Sequence, residues 1–490
     1  MPSLKQVSLP VSKSLYIRKL ICDFLYNGCI GEIPSDASED IRIVHHCLTC
    51  ISRDVEGGVK RDESVLIDVH DCGAAYRFLM AVLAVTPGSW ILTGTPRLMQ
   101  RPIEELVEAL RSIGAAIQRC PCKDAINRVS NGGGVYPCLD IRPCVSTDNS
   151  VSSDRNAINR VSTNDNCACW QIHGKPLHAS EMTIDCTRSG QFASALWLIS
   201  DKIGLKNLNI LPQNPSSFAY IAMTKEIMNG KADLEANHMG DWSAAVYWYA
   251  RLLLEGRMYQ LHSAFHPSGT ASYEAPASYK LSHLDLHSIQ SDSVLARWFA
   301  DWGIESRQEK DGVVISYNEH LIKPQEVIEL DMNQNVDLVP VLACMACIWP
   351  KTMIFNGVAN LKYKESDRLK IIQEELSEFS EIKLNVYDGI NDNQLVVNPI
   401  CCRDGACPVS DDGVVYPNGD GARPVSTNEN CSNKSPIVFS FNAHNDHRFV
   451  MGFSLFALKG KVQIKGFDCV RKSYPNFNAE GVIAGSDIVG

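Results

Sequence analysis

Several things missing from the 490-residue chain narrow its function at once. No apolar run approaches the roughly 20 residues that a membrane-crossing helix needs. The longest, from Phe78 to Val85 and from Leu338 to Trp349, stop well short. Basic residues are outnumbered, 46 Lys and Arg against 56 Asp and Glu, so the formal charge is −10. A global basic surface for nucleic acid is thereby excluded. No Walker P-loop and no GxGxxG behind a strand occurs, which leaves nucleotide binding of those kinds unsupported. The opening MPSLKQVSLPVSKS has no apolar core of the secretory type, so the expectation is a cytoplasmic protein. What remains is globular in composition, 45% hydrophobic and 21% charged. Its length suits two to four domains of roughly 150 residues each.

A disulfide or zinc framework is missing too, although cysteine is plentiful at 19 residues. Ten of these lie in two polar stretches: Cys120, Cys122, Cys138, Cys144, Cys167, Cys169, Cys401, Cys402, Cys407 and Cys431. The CxxC pair Cys344/Cys347 sits in the apolar run LVPVLACMACIW, and Cys47/Cys50 follows His45 and His46 in a helix-like segment. A zinc site normally needs two such half-sites at suitable separation. The sequence therefore predicts buried or free thiols, with no metal and no cofactor.

Residues 123–166 and 401–434 are rich in Asn, Ser, Asp, Gly and Pro, and they echo each other. VSNGGGVYPCLDIRPCVST, from Val129, resembles VSDDGVVYPNGDGARPVST, from Val409. Such segments offer too little apolar area to offset the entropy of ordering them, so exposed loops are expected. Elsewhere β-branched strands alternate with amphipathic helices, the pattern of an α/β fold. Ile17, Leu20, Ile21 and Phe24 form one helical stripe, Ile103, Leu106, Val107 and Leu110 a second, and Phe192, Ala195, Leu196 and Ile199 a third. Leu369, Ile372, Leu376 and Phe379 make a looser one. SWILTG, KTMIFNGV and KVQIKGF read as strands.

Cations stand where these helices begin. Lys13 and Arg18 fall in the first two turns of the first helix, and Arg77 comes early in the helix opened by Asp71-Cys72-Gly73. Arg101 precedes Pro102, which suits the first helical position. Lys364 and Arg368 flank another helix start, and Arg448 follows Asn445-Asp446-His447 at the next. Helix N-termini are already partly positive, so each such cation is unfavourable by some tenths of a kcal/mol. A local rule broken this often marks function. Amide donors and fixed cations together suit a small, multiply charged anion, phosphorylated or carboxylated.

The same residues carry a family resemblance. LPVSKSLYIR, from Leu9, resembles the LPGSKS…R opening of the 5-enolpyruvylshikimate-3-phosphate synthase family. HDCGAAYRFL is similar to its NAGTAMR segment, TGTPRLMQRPIEEL to its ERPI segment, SGQFASALW to its SSQ segment and SSFAYI to its S-x-x-Y segment. DMNQNVDLVP resembles MN…PD, NLKYKESDR the K-E-[ST]-D-R signature, NDHRFVM the NDHR signature and RKSYPNF the terminal K-[ST]-[FY]-P signature. All occur in family order. Val11, His70-Asp71, Ala74, Gln100 and Gly190 depart from the family pattern, yet none is a proposed acid, base or cation.

The resemblance implies an inside-out α/β fold of two globular domains, each built from three βαβαββ units. One domain would comprise residues 1–11 plus 239–490, with the insert 401–434, and the other residues 12–238, with the insert 123–166. It further implies transfer of the enolpyruvyl group of phosphoenolpyruvate to the 5-hydroxyl of shikimate 3-phosphate, releasing phosphate. By motif, shikimate 3-phosphate would meet Lys13, Ser14, Arg18, Ser189, Gln191, Ser217, Tyr220, Asp337, Asn360 and Lys364. Phosphoenolpyruvate would meet Lys13, Gly73, Arg101, Gln191, Arg368, Arg448 and Lys472. Asp337, helped by Lys364, would accept the hydroxyl proton, Glu365 would protonate the methylene carbon, and Lys13 would assist. The partners implied are these small molecules alone, with no nucleic acid and no membrane, acting on a monomer. Two rival readings are an anion-binding relative of weakened activity and an enolpyruvyl transferase acting on UDP-N-acetylglucosamine. The latter usually carries a Cys in a mobile loop, and TGTPRLMQRPI has none.

Overall fold

The structure, a computed structural model, describes residues 3–56, 64–121, 168–212, 218–230, 239–265, 275–386, 393–399 and 438–477. The two polar repeats and Ser217 lie outside these residues. The chain forms two compact units, one of Met1–Ser12 with Glu235–Gly490 and the other of Lys13–Leu234. Within the first, Val11 bridges Gly240, and the Asp241 amide donates to the Pro10 carbonyl at 3.0 Å, which ties the two separate stretches together.

One βαβαββ design recurs. In the larger unit, strand Leu4–Val7 lies parallel to Ser278–Ser282, which pairs antiparallel with Gly312–Tyr317, and that with Ile304–Glu309. Val327–Asp331, Thr352–Asn356, Gln394–Pro399 and Ser380–Asn385 repeat this order and polarity. So do Val65–Asp68, Gly88–Thr93, Ala168–Gly174 and Ala116–Pro121 in the smaller unit. Two further parallel pairs, Val438–Asn442 with Lys461–Lys465 and Glu181–Asp185 with Asn207–Leu211, carry the βαβ part alone. Parallel neighbours need a crossover, and a helix supplies it each time. The crossover helices are Trp242–Phe265, Val339–Ile348, Gly73–Val85, His447–Ser454 and Gln191–Leu198.

Two of these crossover helices, Val339–Ile348 and Gly73–Val85, are apolar nearly all round because they are covered on most sides. Val339 to Ala346 are all buried, as are most residues of Gly73–Val85. Cys344 and Cys347 belong to this core, where burial pushes the Cys347 thiol up to about 12. Aromatic rings fill the larger unit: Phe299 meets Trp302 at 4.6 Å between centroids, and Trp302 meets Trp349 at 5.3 Å. Each fully buried ring contributes about 1.5–3 kcal/mol of transfer free energy.

The stripes match helices Lys13–Cys22, Glu104–Ser112, Gln191–Leu198 and Arg368–Leu376. Pro102 does not open its helix, which starts at Glu104. Its carbonyl instead accepts from Arg77 Nε and Nη2 at 3.2 and 3.1 Å, and this holds it outside the helical turn. Cys120 and Cys169 sit on strands rather than in the polar stretches. The first polar stretch leaves the sheet between Pro121 and Ala168, which are register partners at the open end of an antiparallel pair. No helix among the described residues is long and apolar enough to cross a membrane. Among the same residues, no group of three or more His, Cys, Asp or Glu is placed to hold a metal ion.

Candidate active site

One local device sets the start of four crossover helices. The last residue of the preceding strand is Asp or Asn, and its side chain accepts the amide two residues on. Asp68 takes His70 N at 2.8 Å, Asp185 takes Thr187 N at 2.8 Å, Asp331 takes Asn333 N at 3.0 Å and Asn442 takes His444 N at 3.0 Å. Short side chains of this kind close such turns because they reach the backbone without a bend of their own. The sixth residue after the turn-closing side chain is Ala74, Gln191, Asp337 or Arg448, and three of these are candidate site residues. His70 and His444 stand at φ 49° in this turn, a left-handed conformation that costs a side-chain-bearing residue about 1–2 kcal/mol.

In the larger unit the turns gather an ionic cluster around Arg368, the first residue of its helix and almost fully buried. Its Nη1 donates to Asp337 Oδ1 at 2.7 Å, its Nη2 to Glu365 Oε2 at 2.9 Å, and its Nε to Asp446 Oδ2 at 2.8 Å. Asp446 in turn accepts from Ser366 Oγ at 2.8 Å and caps the next helix by accepting from Arg448 N at 3.0 Å. Lys364 Nζ stands 3.2 Å from Asp337 Oδ1. Burial alone would raise the proton affinity of Asp337, but Lys364, Arg368 and Arg448 outweigh it and hold the carboxyl well below the usual carboxylate range. Arg448 is 4% exposed, and its Nε and Nη1 have no hydrogen-bond partner among the described residues. Buried guanidinium donors without acceptors are costly, and an anion supplies acceptors. Asn360 is buried in the short turn Ala359–Tyr363, whereas Lys472 is half-buried at the end of Phe467–Lys472.

In the smaller unit, Lys13 opens its helix and pairs with Asp40 Oδ2 at 2.9 Å. Gly73 opens the helix after the Asp68 turn, and a Cβ there would stand 2.5 Å from Arg101 Nη1. Glycine is thus what lets this guanidinium approach the helix start. The Nε of Arg101 is buried without a hydrogen-bond partner among the described residues. Arg77 Nη1 donates to Gln191 Oε1 at 2.8 Å, and the Gln191 amide donates to Ser189 Oγ at 3.3 Å. Arg18 is turned into the protein, with Nε to Thr224 Oγ1 at 2.7 Å, Nη1 to the Ser14 carbonyl at 2.7 Å and Nη2 to the Tyr220 carbonyl at 3.4 Å. Burial lowers its pKa to about 10.

The sequence therefore located the cations, but it missed their partners. Arg368 is the hub of three carboxylates, and Arg18 braces Ser14 and Tyr220. Two further carboxylates escaped notice. Asp40 holds Lys13, and only its place in the first turn of helix Glu39–Glu56 marks it. Asp292 is buried, accepting from Asn335 Nδ2 at 2.9 Å and from Ser243 Oγ. Desolvation raises its pKa to about 6, a shift that Asn335 and Ser243 reduce by hydrogen bonding. No local pattern distinguishes it from a turn aspartate.

The model of the family described as EPSP synthase (3-phosphoshikimate 1-carboxyvinyltransferase) matches residues 40–135, 159–394 and 420–480. The chain belongs to the EPSP synthase family. A 3-phosphoshikimate 1-carboxyvinyltransferase of Bacteroides fragilis is 26% identical over 96% of this chain and 93% of its own length. One from Dehalococcoides mccartyi is 24% identical, with 96% and 93% covered. The fold is that of an EPSP synthase from Acinetobacter baumannii, with a TM-score of 0.55 at 15% identity, covering 98% of this chain and 95% of that one. The chain is an enzyme of the carboxyvinyltransferase class. Every candidate residue from Gly73 to Lys472 falls inside the EPSP synthase match, while Lys13, Ser14 and Arg18 precede it. The first break in the match, residues 136–158, lies wholly within the first polar stretch.

Proposed function

We propose that this chain transfers the enolpyruvyl group of phosphoenolpyruvate to the 5-hydroxyl of shikimate 3-phosphate, with Glu365 as acid and Asp337 as base. The observation that carries the assignment is one guanidinium, Arg368, bound to both carboxylates. Glu365 gives a proton to the methylene carbon, leaving an oxocarbenium-like centre. The 5-hydroxyl attacks that centre and passes its proton to Asp337, whose Lys364 neighbour steadies the charge. The tetrahedral intermediate then expels phosphate and returns a methyl proton to Glu365, which forms the enol ether. Preorganised cations stabilise the phosphate and carboxylate charge throughout.

The cluster also supplies a switch of basicity. With no anion bound, three cations keep Asp337 a poor base. An arriving phosphate or carboxylate shares those cations, so Asp337 becomes more basic. Arg448 and Arg101, whose buried donors lack acceptors among the described residues, are the phosphoenolpyruvate contacts this reading favours. Lys13, Ser14, Ser189, Gln191, Ser217, Tyr220 and Asn360 are assigned to shikimate 3-phosphate, with Arg18 bracing its Ser14 and Tyr220 walls and Gly73 leaving room for Arg101. Lys472 is assigned to phosphoenolpyruvate.

The test is phosphate release with both substrates. Glu365→Gln keeps shape and hydrogen bonding but has no proton to give, so turnover should fall by about two to four powers of ten. Substrate affinity should change far less. Turnover within a few-fold of the unaltered chain would remove Glu365 from the acid role.

A further inference from the structure

We infer that Cys120 and Cys169 form a reversible disulfide site, oxidised by exchange with a low-molecular-weight disulfide. They are direct register partners on antiparallel strands, and their sulfurs stand 3.1 Å apart. Cys169 is buried and Cys120 half-buried, so the two present one accessible and one sheltered thiol. Antiparallel partners lie about 4.5–5.5 Å apart between Cα atoms, inside the range a disulfide spans.

The position gives the bond a purpose. Among the described residues Ala116–Pro121 is an edge strand, held by Ala168–Gly174. The pair sits one residue before the point where the first polar stretch leaves the sheet and one residue after the point where it returns. A bond there pins the edge strand and removes loop-closure entropy from the unfolded chain. The chemistry balances. The Cys120 thiolate attacks one sulfur of the small disulfide and expels one thiolate. The Cys169 thiolate then attacks the Cys120 sulfur and expels the second. Two protein thiols are oxidised, one small disulfide is reduced, and the two protein protons end on the released thiolates.

Cys122 and Cys167 lie two residues further along each chain segment, outside the described residues, and must be silenced for a clean reading. The full chain carrying Cys122→Ser and Cys167→Ser would be equilibrated in glutathione buffers of rising oxidised fraction, alkylated and mapped by mass. The expected result is a linked peptide joining Cys120 to Cys169 and lighter by two hydrogens, reversed by dithiothreitol. A rise of a few degrees in the thermal midpoint should accompany it and vanish in Cys120→Ser. Alkylation of both thiols after the most oxidising buffer would overturn the inference. So would glutathione left on Cys120 with no linked peptide, or a linked peptide no more abundant than from the chain in denaturant.

Discussion

Arg368 shows how one residue can be both a structural hub and part of the chemistry. Its three nitrogens meet three carboxylates, and with Lys364 and Arg448 the cluster comes to three positive and three negative side chains. Such a balance tolerates burial because each charge has a partner or awaits an anion. Asp292 is the exception nearby, a carboxyl whose proton affinity desolvation raises. Its folded pKa of about 6 lies above the unfolded value near 3.9, so its favourable contribution is complete below pH 4. That contribution is lost as pH rises from about 4 to 6. Asp292→Asn, which does not titrate, should therefore gain on the unaltered chain by about 2–3 kcal/mol between those limits. Urea midpoints at pH 4 and pH 7 would measure it, and a gap that stayed constant would show that Asp292 remains ionised throughout.

At the scale of elements, the turn that ends four strands matters more than any single helix. Asp331 closes the turn ahead of Asp337, so Asp331→Ala should cost about 1 kcal/mol of stability and reduce turnover, while Asp331→Asn retains the acceptor and both properties. His70→Gly should stabilise by about 0.5–1 kcal/mol, because glycine adopts φ 49° without a Cβ clash, although it loses more entropy on folding. Denaturant midpoints of the three variants would decide both points. The helical stripes were legible in the sequence because periodicity is local, and so were the cations at the helix starts. The grouping of Asp337 and Asp446 on Arg368 was not, since it depends on segments that meet only through space. The start at Glu104 was hidden for the same reason: Arg77, some 25 residues away, captures the Pro102 carbonyl.

At the scale of the whole molecule, the composition of the polar stretches suits neither core nor site. Replacing residues 124–165 and 404–430 with short Gly/Ser linkers should leave circular dichroism and phosphate-release rates close to those of the full chain. Large losses in either would give the stretches a part in folding or catalysis. Pro121 and Ala168 face each other across the end of their ladder, at roughly the 5 Å spacing of any antiparallel pair. Whatever joins them enters and leaves at nearly one point, so its length, odd or even, cannot shift the in-and-out alternation of the strands it connects. Genetically this is a landing place. A reporter domain whose own termini lie close together could be spliced there in frame, and the enzyme would carry it as cargo.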